Sequence, residues 1–269
     1  MDKRQNELRS IAVQAVISGM DVIKTWRESG NDIAAQHTGL QPGDDYITAV
    51  DYAAEAAVIE VLQRLSPNIS IVGEMSGGHI GKEPVWVIDP MDGTTDFVSG
   101  GSFVAVTVAL LDQGQPIIGA TGCPFTGEVW SAAKGFGASD IANRHLRIDS
   151  PPIGRGRIAL DPVKSGITTL KIWTEIMERL ANTFEEVQPL PAIALEMAYV
   201  AAGKFDGFVQ IGGSPIQDFA AGTLLIREAG GIITGIDGNP NPWESNIIVA
   251  GRLQVYRQLI DTLKNIDRL

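Results

Sequence analysis

The sequence predicts a layered α/β protein, and three observations carry that reading. A stripe of apolar residues at helical spacing opens the chain, with Leu8, Ile11, Ala12, Ala15, Val16, Val22, Ile23 and Trp26 on one face. Between Ser102 and Ala133 the pattern changes to apolar runs separated by turn residues, as in a β meander. From Arg157 onward, apolar runs alternate with helical stripes, which implies a mainly parallel or mixed sheet flanked by helices.

Taken in order, Gly30 and Asn31 end the first helix, and residues 36–45 read as a loop rich in turn formers. Residues 46–51 lead into a second helix marked by Ala54, Val58, Val61, Leu62 and Leu65. Asp51 sits in its first turn, where the helix dipole favours a carboxylate. Ser66-Pro67-Asn68 breaks that helix. A short strand over 69–72 ends at Gly73-Glu74, and another over 85–89 ends at Asp89, because Pro90 cannot donate to a ladder. Gly93 permits a tight turn after Asp92, and Thr94 caps a new helical turn. The meander occupies 103–111, 116–122 and 128–132, and residues 134–152 connect two halves without periodicity.

The second half begins with a strand over 157–160 and a helix on Leu170, Trp173, Met177 and Leu180. A short strand over 184–187 precedes a helix opened by Pro191 and stopped by Gly203. Then come a strand over 205–211, a helix capped by Ser214 and started by Pro215, strands over 232–234 and 246–250, and a terminal helix. One compact unit over residues 1–269 is expected, with an α+β half to about 145 and an α/β half from about 150.

Composition narrows the function. A chain of 269 residues, 44% hydrophobic and 20% charged, can bury a sizeable core. Net charge of −11 and a pI near 4.7 argue against direct nucleic-acid binding. The single cysteine, Cys123, cannot form an internal disulfide, so a reducing, cytoplasmic compartment is expected. The charged first residues lead into no apolar signal region, and no apolar run approaches a membrane span.

Nucleophile chemistry finds little support. His37, His79 and His145 lie in loop-like stretches without partners, no G-x-S-x-G elbow is present, and Cys123 lacks an activating neighbour. The spaced glycines complete no nucleotide motif, and the ligands of a zinc site are missing. What remains is a set of carboxylates at element ends: Asp51, Glu74, Asp89, Asp92 and Asp218. Hard oxygen ligands of this kind suit Mg²⁺ or Mn²⁺. Taken singly, D-x-x-D-G also serves as an ordinary acidic turn, and Asp218 as a first-turn stabiliser of its helix. Their weight comes from occurring together.

At these residues the chain resembles the inositol monophosphatase family of metal-dependent phosphatases over nearly its whole length. Asp89-Pro90-Met91-Asp92-Gly93-Thr94-Thr95 is similar to the family's first signature, and Asp218-Phe219-Ala220-Ala221-Gly222 with Glu228-Ala229-Gly230-Gly231 to its second. Gly73-Glu74, Thr48-Ala49-Val50-Asp51 and residues 199–207 fit further family motifs in the right order. The resemblance implies an αβαβα sandwich of the inositol monophosphatase and fructose bisphosphatase type, a homodimer, and lithium-sensitive hydrolysis of a small phosphorylated metabolite with two or three Mg²⁺. It implies that Glu74, Asp89 and the Met91 carbonyl hold one metal. Asp89, Asp92 and Asp218 hold a second, and a third ion leans on Glu74. Asp51 and Thr94, with Glu74, serve the attacking water. Asp92, Gly93, Thr94, Thr95, Ala192, Ile193, Gln210 and Asp218 form the phosphate- and substrate-binding set.

This sequence departs from the family around the alcohol. Gln210 aligns with a common Glu, Gln217 with a common Trp, and Pro191-Ala192 with a small Gly-Ser or Gly-Thr pair. The usual Lys before the T-x-x-D motif is absent, and residues 36–45 look lengthened. The resemblance implies an inositol, sugar or polyol phosphate as substrate, and these departures leave other specificities open. Fructose bisphosphate, histidinol phosphate, a phosphoadenosine nucleotide, or a regulatory binding role on this fold stay open.

Overall fold

The computed structural model describes residues 3–30, 36–37, 46–148, 155–161 and 167–266. Helices α1 (Lys3–Ser29) and α2 (Ala49–Leu65) pack side by side, because both present an apolar stripe. Beneath them lies a six-stranded sheet of β3 (Ser70–Gly73), β4 (Val85–Asp92), β5 (Ala105–Asp112), β6 (Gln115–Gly122), β7 (Val129–Ala133) and β8 (Ala138–Asp140), in that spatial order. β3 and β4 are parallel, and the other neighbours are antiparallel. Strand alternation then sorts the side chains. Trp86, Ile88, Val106, Val108 and Leu110 meet Ile11, Val16, Ala54 and Val58 on one face. Val85, Val87, Ala109 and Leu111 meet Ala220 and Ala221 of α6 (Ile216–Glu228) on the other.

The second sheet has the order β10, β9, β11, β13, β12, built from β9 (Arg157–Leu160), β10 (Glu186–Pro189), β11 (Gly207–Ile211), β12 (Ile232–Gly235) and β13 (Ile247–Gly251). It is mixed, with β9 parallel to β10 and β11, and β13 antiparallel to β11 and β12. One face, carrying Ala159, Phe208, Ile248 and Ala250, packs on α5 (Ile193–Ala201) and α6. The opposite face packs on α4 (Ile167–Thr183) and α7 (Leu253–Thr262) through Ile158, Leu160, Val209, Ile176, Leu180, Val255 and Leu259. The layers thus run αβαβα, with α5 and α6 shared between two sheets. That shared layer explains why Ala220 and Ala221 are so small: a Cβ on Gly119 of β6 would stand 2.8 Å from the Ala221 Cα, while Gly222 makes room for Met197 of α5. The helix rests almost directly on the first sheet.

Several boundaries differ from the sequence expectation. β4 does not stop at Pro90 but continues to Asp92, with its register against β5 shifting between Asp89 and Asp92. A bulge is where a strand tolerates a proline, and the Met91 amide turns inward to Asp89 instead of the ladder. β8 falls in the stretch expected to be aperiodic. It is only three residues long, too short to show alternation. β10 lies two residues later than expected. α5 starts at Ile193, not at Pro191. Pro215, not Ser214, is the N-cap of α6, and no side chain caps it. Part of the expected loop over 36–45 is a ladder, with β1 (Gln36–His37) pairing antiparallel to β2 (Tyr46–Ile47). Residues 38–45, Asn31 and 149–154 lie outside the described residues.

Candidate active site

The site grows from the end of β4. Alternation points Asp89 to the same face as Val85 and Val87, the face covered by α6. It is 3% exposed, and its Oδ1 accepts the Met91 N–H at 3.0 Å. β3 runs parallel alongside, with Gly73 opposite Ile88, so Glu74 follows next to Asp89. Asp218, in the first turn of α6, approaches from the other side. Burial pushes the Asp89 carboxyl well up, and the charges of Glu74, Asp218 and Asp92 push it further. The expected carboxylates from three separate elements therefore act on one another.

This electrostatic arrangement fits a hard divalent cation. The donors are all oxygen, and a buried carboxylate surrounded by three others is costly unless positive charge joins it. Among the described residues, no three His, Cys, Asp or Glu side chains already close around one point as a metal cage. The fit rests on the donor chemistry and the mutual repulsion.

Asp51 is held from two directions. Its Oδ2 accepts the Thr48 backbone N–H at 2.7 Å and the Thr48 hydroxyl at 2.6 Å, closing a capping box at the start of α2. Its Oδ1 faces Thr94, whose hydroxyl lies 3.1 Å away and also 2.8 Å from the Met91 carbonyl. Burial raises the Asp51 carboxyl, and the bonds from Thr48 and Thr94 work against that rise. Thr94 is not the helix cap expected of it. Gly93 holds that position for α3 (Thr94–Val98), at a φ of +92°, and its own side-chain-free face lies against Phe103. A Cβ there would come within 2.3 Å of the Phe103 carbonyl oxygen, which explains glycine at this position.

The remaining expected residues divide. Asp92 Oδ2 accepts the Ala194 N–H at 2.6 Å and so serves as the cap that Ala192, with no side-chain oxygen, cannot provide for α5. Ala192 lies beside Gly93, and Ile193 next to it is buried. Thr95 is exposed on α3. Gln210 is fully buried in β11, and its amide nitrogen donates to the Ile211 and Gly213 carbonyls at 3.1 and 3.2 Å. That orientation turns its carbonyl oxygen, an acceptor, the other way.

Three polar residues here were not among the sequence candidates. Glu55, one helical turn after Asp51, accepts the Met75 and Ser76 N–H groups at 2.9 and 2.8 Å and so fixes the loop that carries Glu74. A buried charge inside the apolar stripe of α2 was its signal. Glu196 on α5 and Asp161 after β9 are buried as well, and only their tertiary placement brings them together.

Comparison with known proteins bears on the family and the fold. The sequence profile of the inositol monophosphatase family matches residues 4–268. Nus factor SuhB of Salmonella typhimurium is 34% identical over 262 residues, covering 95% of both chains. The extragenic suppressor protein suhB from Bartonella henselae superposes with a TM-score of 0.87 at 27% identity, covering 96% of this chain and 98% of that one. An inositol monophosphatase from Anabaena gives a TM-score of 0.81 at 26% identity, over 97% and 96% of the two chains. Motif order, five-layer architecture and profile coincide over the whole length, and the chain belongs to the inositol monophosphatase family.

Proposed function

We propose that this protein hydrolyses small phosphate monoesters, of the inositol, sugar or polyol class, with Mg²⁺ or Mn²⁺ held by Glu74, Asp89, the Met91 carbonyl, Asp92 and Asp218. The observation that carries this reading is the four-carboxylate cluster centred on buried Asp89, set beside the Asp51–Thr94 hydrogen bond. Bound divalent ions would supply charge neutralisation of the phosphate oxygens and a more acidic water.

The chain's own part is positioning and proton handling. Thr94 has one hydroxyl proton and two acceptors within reach, Asp51 Oδ1 and the Met91 carbonyl. Donating to Asp51 leaves the hydroxyl oxygen able to accept a proton from water and frees the Met91 carbonyl. Asp51 then serves as the base behind Thr94, its other oxygen held still by Thr48. Gly93, with no side chain, brings the first-turn amides of α3 close to the cluster, and these have no acceptor inside the helix. The resemblance assigns Ala192, Ile193 and Gln210 to the alcohol, with the Gln210 carbonyl standing in for a carboxylate acceptor without its charge. A homodimer in the cytoplasm, sensitive to Li⁺, completes the reading.

A phosphate-release screen across inositol, sugar, amino-alcohol and nucleotide monophosphates tests it, with Mg²⁺ and with added Li⁺. Turnover of at least one class that requires Mg²⁺ and falls with Li⁺ is expected. Absence of release from every class would overturn the assignment.

The relatives' name is that of a factor, which favours a second reading: a regulatory protein that binds a partner through this fold. The net charge of −11 directs that contact to protein instead of nucleic acid. A stoichiometric partner recovered with the purified chain, together with no phosphatase activity, would move the conclusion to this reading.

A further inference from the structure

Below α5, at the ends of β9 and β11, a second polar group of residues converges. Leu160 lies opposite Val209, and the Asp161 N–H donates to the Val209 carbonyl at 3.0 Å, so Asp161 is level with Gln210. Alternation puts both on the face of Ala159 and Phe208, which α5 covers. From α5, Glu196 brings its carboxyl to the same place, within electrostatic range of Asp161 and of Asp92. Glu196 and Gln210 are both 0% exposed. Neither carboxyl oxygen of Glu196 has a hydrogen-bond partner, and neither has the Gln210 carbonyl oxygen, whose amide nitrogen is already committed to two backbone carbonyls.

Leaving a buried acceptor unsatisfied is costly, so such groups are rare unless something satisfies them. Here unpartnered acceptors from α5 and β11 gather beside Asp161, and the charges that act on Glu196 are both negative. A guest that donates several hydrogen bonds or coordinates oxygen answers them, and positive charge on it offsets the two carboxylates that act on Glu196. A neutral hydroxyl offers one donor, whereas an ammonium offers three or four.

We propose that Asp161, Glu196 and Gln210 form a recognition site for an ammonium-type cation. The cation is either the primary amine of an amino-alcohol phosphate whose phosphate lies at the Asp89 cluster, or a free ammonium ion or the similarly sized potassium ion. Contiguity supports the first source: Asp92, which acts electrostatically on Glu196, also caps α5 and belongs to the Asp89 cluster. The substrate source rests on the phosphatase reading above, and the free-ion source does not.

The test uses the full chain as wild type, Asp161→Asn and Glu196→Gln. Phosphate release is compared for serinol phosphate and glycerol phosphate, which differ by one amine for one hydroxyl. Thermal unfolding is compared in ammonium, potassium and tetramethylammonium chloride at equal ionic strength. If the amine is the guest, the wild type prefers serinol phosphate by about tenfold or more in kcat/KM, and each variant erases the preference through KM. If a free ion is the guest, ammonium or potassium raises the wild-type Tm above its value in tetramethylammonium, and the variants lose that difference. The proposal falls if the wild type shows neither effect, or if the effects persist in both variants. Should neither ester be hydrolysed, the phosphatase reading is what suffers, and the unfolding comparison alone decides for or against the cation site.

Discussion

Two groups of carboxylates lie on the faces of the shared α5–α6 layer, and they are wired differently. At the end of β4, Asp89 accepts the Met91 amide, Asp92 caps α5, and Asp51 accepts from Thr48 and Thr94. At the ends of β9 and β11, Glu196 has both oxygens unpartnered, and Gln210 has its carbonyl so. The first group is preorganised by backbone amides and nearby hydroxyls, the arrangement that electrostatic catalysis needs. The second keeps acceptors open. On the proposed reading, chemistry and recognition occupy different sheets, joined through Asp92 and the first turn of α5.

The sharpest way to test this contrast is Asp89→Asn. Divalent-ion-dependent turnover should fall by on the order of 10³-fold, about 4 kcal/mol, because the central charge of the cluster is lost. Stability should behave oppositely: without metal, a circular-dichroism melt should show the variant no less stable than wild type, since a repelled buried charge has been removed. A variant that retained full activity would remove Asp89 from the site. Thr94→Ala should lower kcat by about 10²-fold with little change in KM, as loss of a proton-handling group does. A rise in KM at constant kcat would instead make Thr94 a binding residue.

Gly93→Ala probes the backbone of the first group. At a φ of +92°, with the Phe103 carbonyl 2.3 Å from the new Cβ, it should cost about 2–4 kcal/mol in a denaturant titration. An unchanged midpoint would mean that the turn has room to give.

The smallest expected effect probes the second group through pH. Burial, then Asp161, then Asp92, raise the Glu196 carboxyl well above its ordinary range. The folded chain then holds a proton that the unfolded chain has released. Stability is therefore greatest below the ordinary carboxylate range and falls as pH rises through the raised folded value. The slope approaches at most about 1.4 kcal/mol per pH unit for one proton. In tetramethylammonium buffer without divalent metal, Glu196→Gln should flatten that part of the stability profile. An identical slope in the variant would assign the proton elsewhere.

The same contrast explains what could be read from sequence. Asp89, Asp92, Gly93 and Thr94 stand within six residues, so strand, turn and chemistry are written in one local stretch. Helical stripes and the meander likewise gave the layers, since a 3.6-residue or two-residue period is a local signal. Two details escaped because they depend on partners elsewhere. β4 runs past Pro90 only because Asp89 captures the Met91 amide in a bulge. α5 begins without a capping side chain of its own because Asp92, 102 positions away from Ala194 in sequence, supplies the oxygen. Glu196 and Asp161 were invisible for the same reason. Each is an unremarkable acidic residue until two strands and a helix bring them together.

The capping box at the start of α2 has one more consequence. The carboxyl that faces Thr94 is bonded to the Thr48 backbone N–H at 2.7 Å, so the base proposed above carries its own spectroscopic tag. Protonating Asp51 must weaken that bond and move the Thr48 amide resonance. A pH titration of this single amide in ¹⁵N-labelled protein would therefore follow the charge of the base directly, with no substrate present and without altering any residue that takes part in the chemistry.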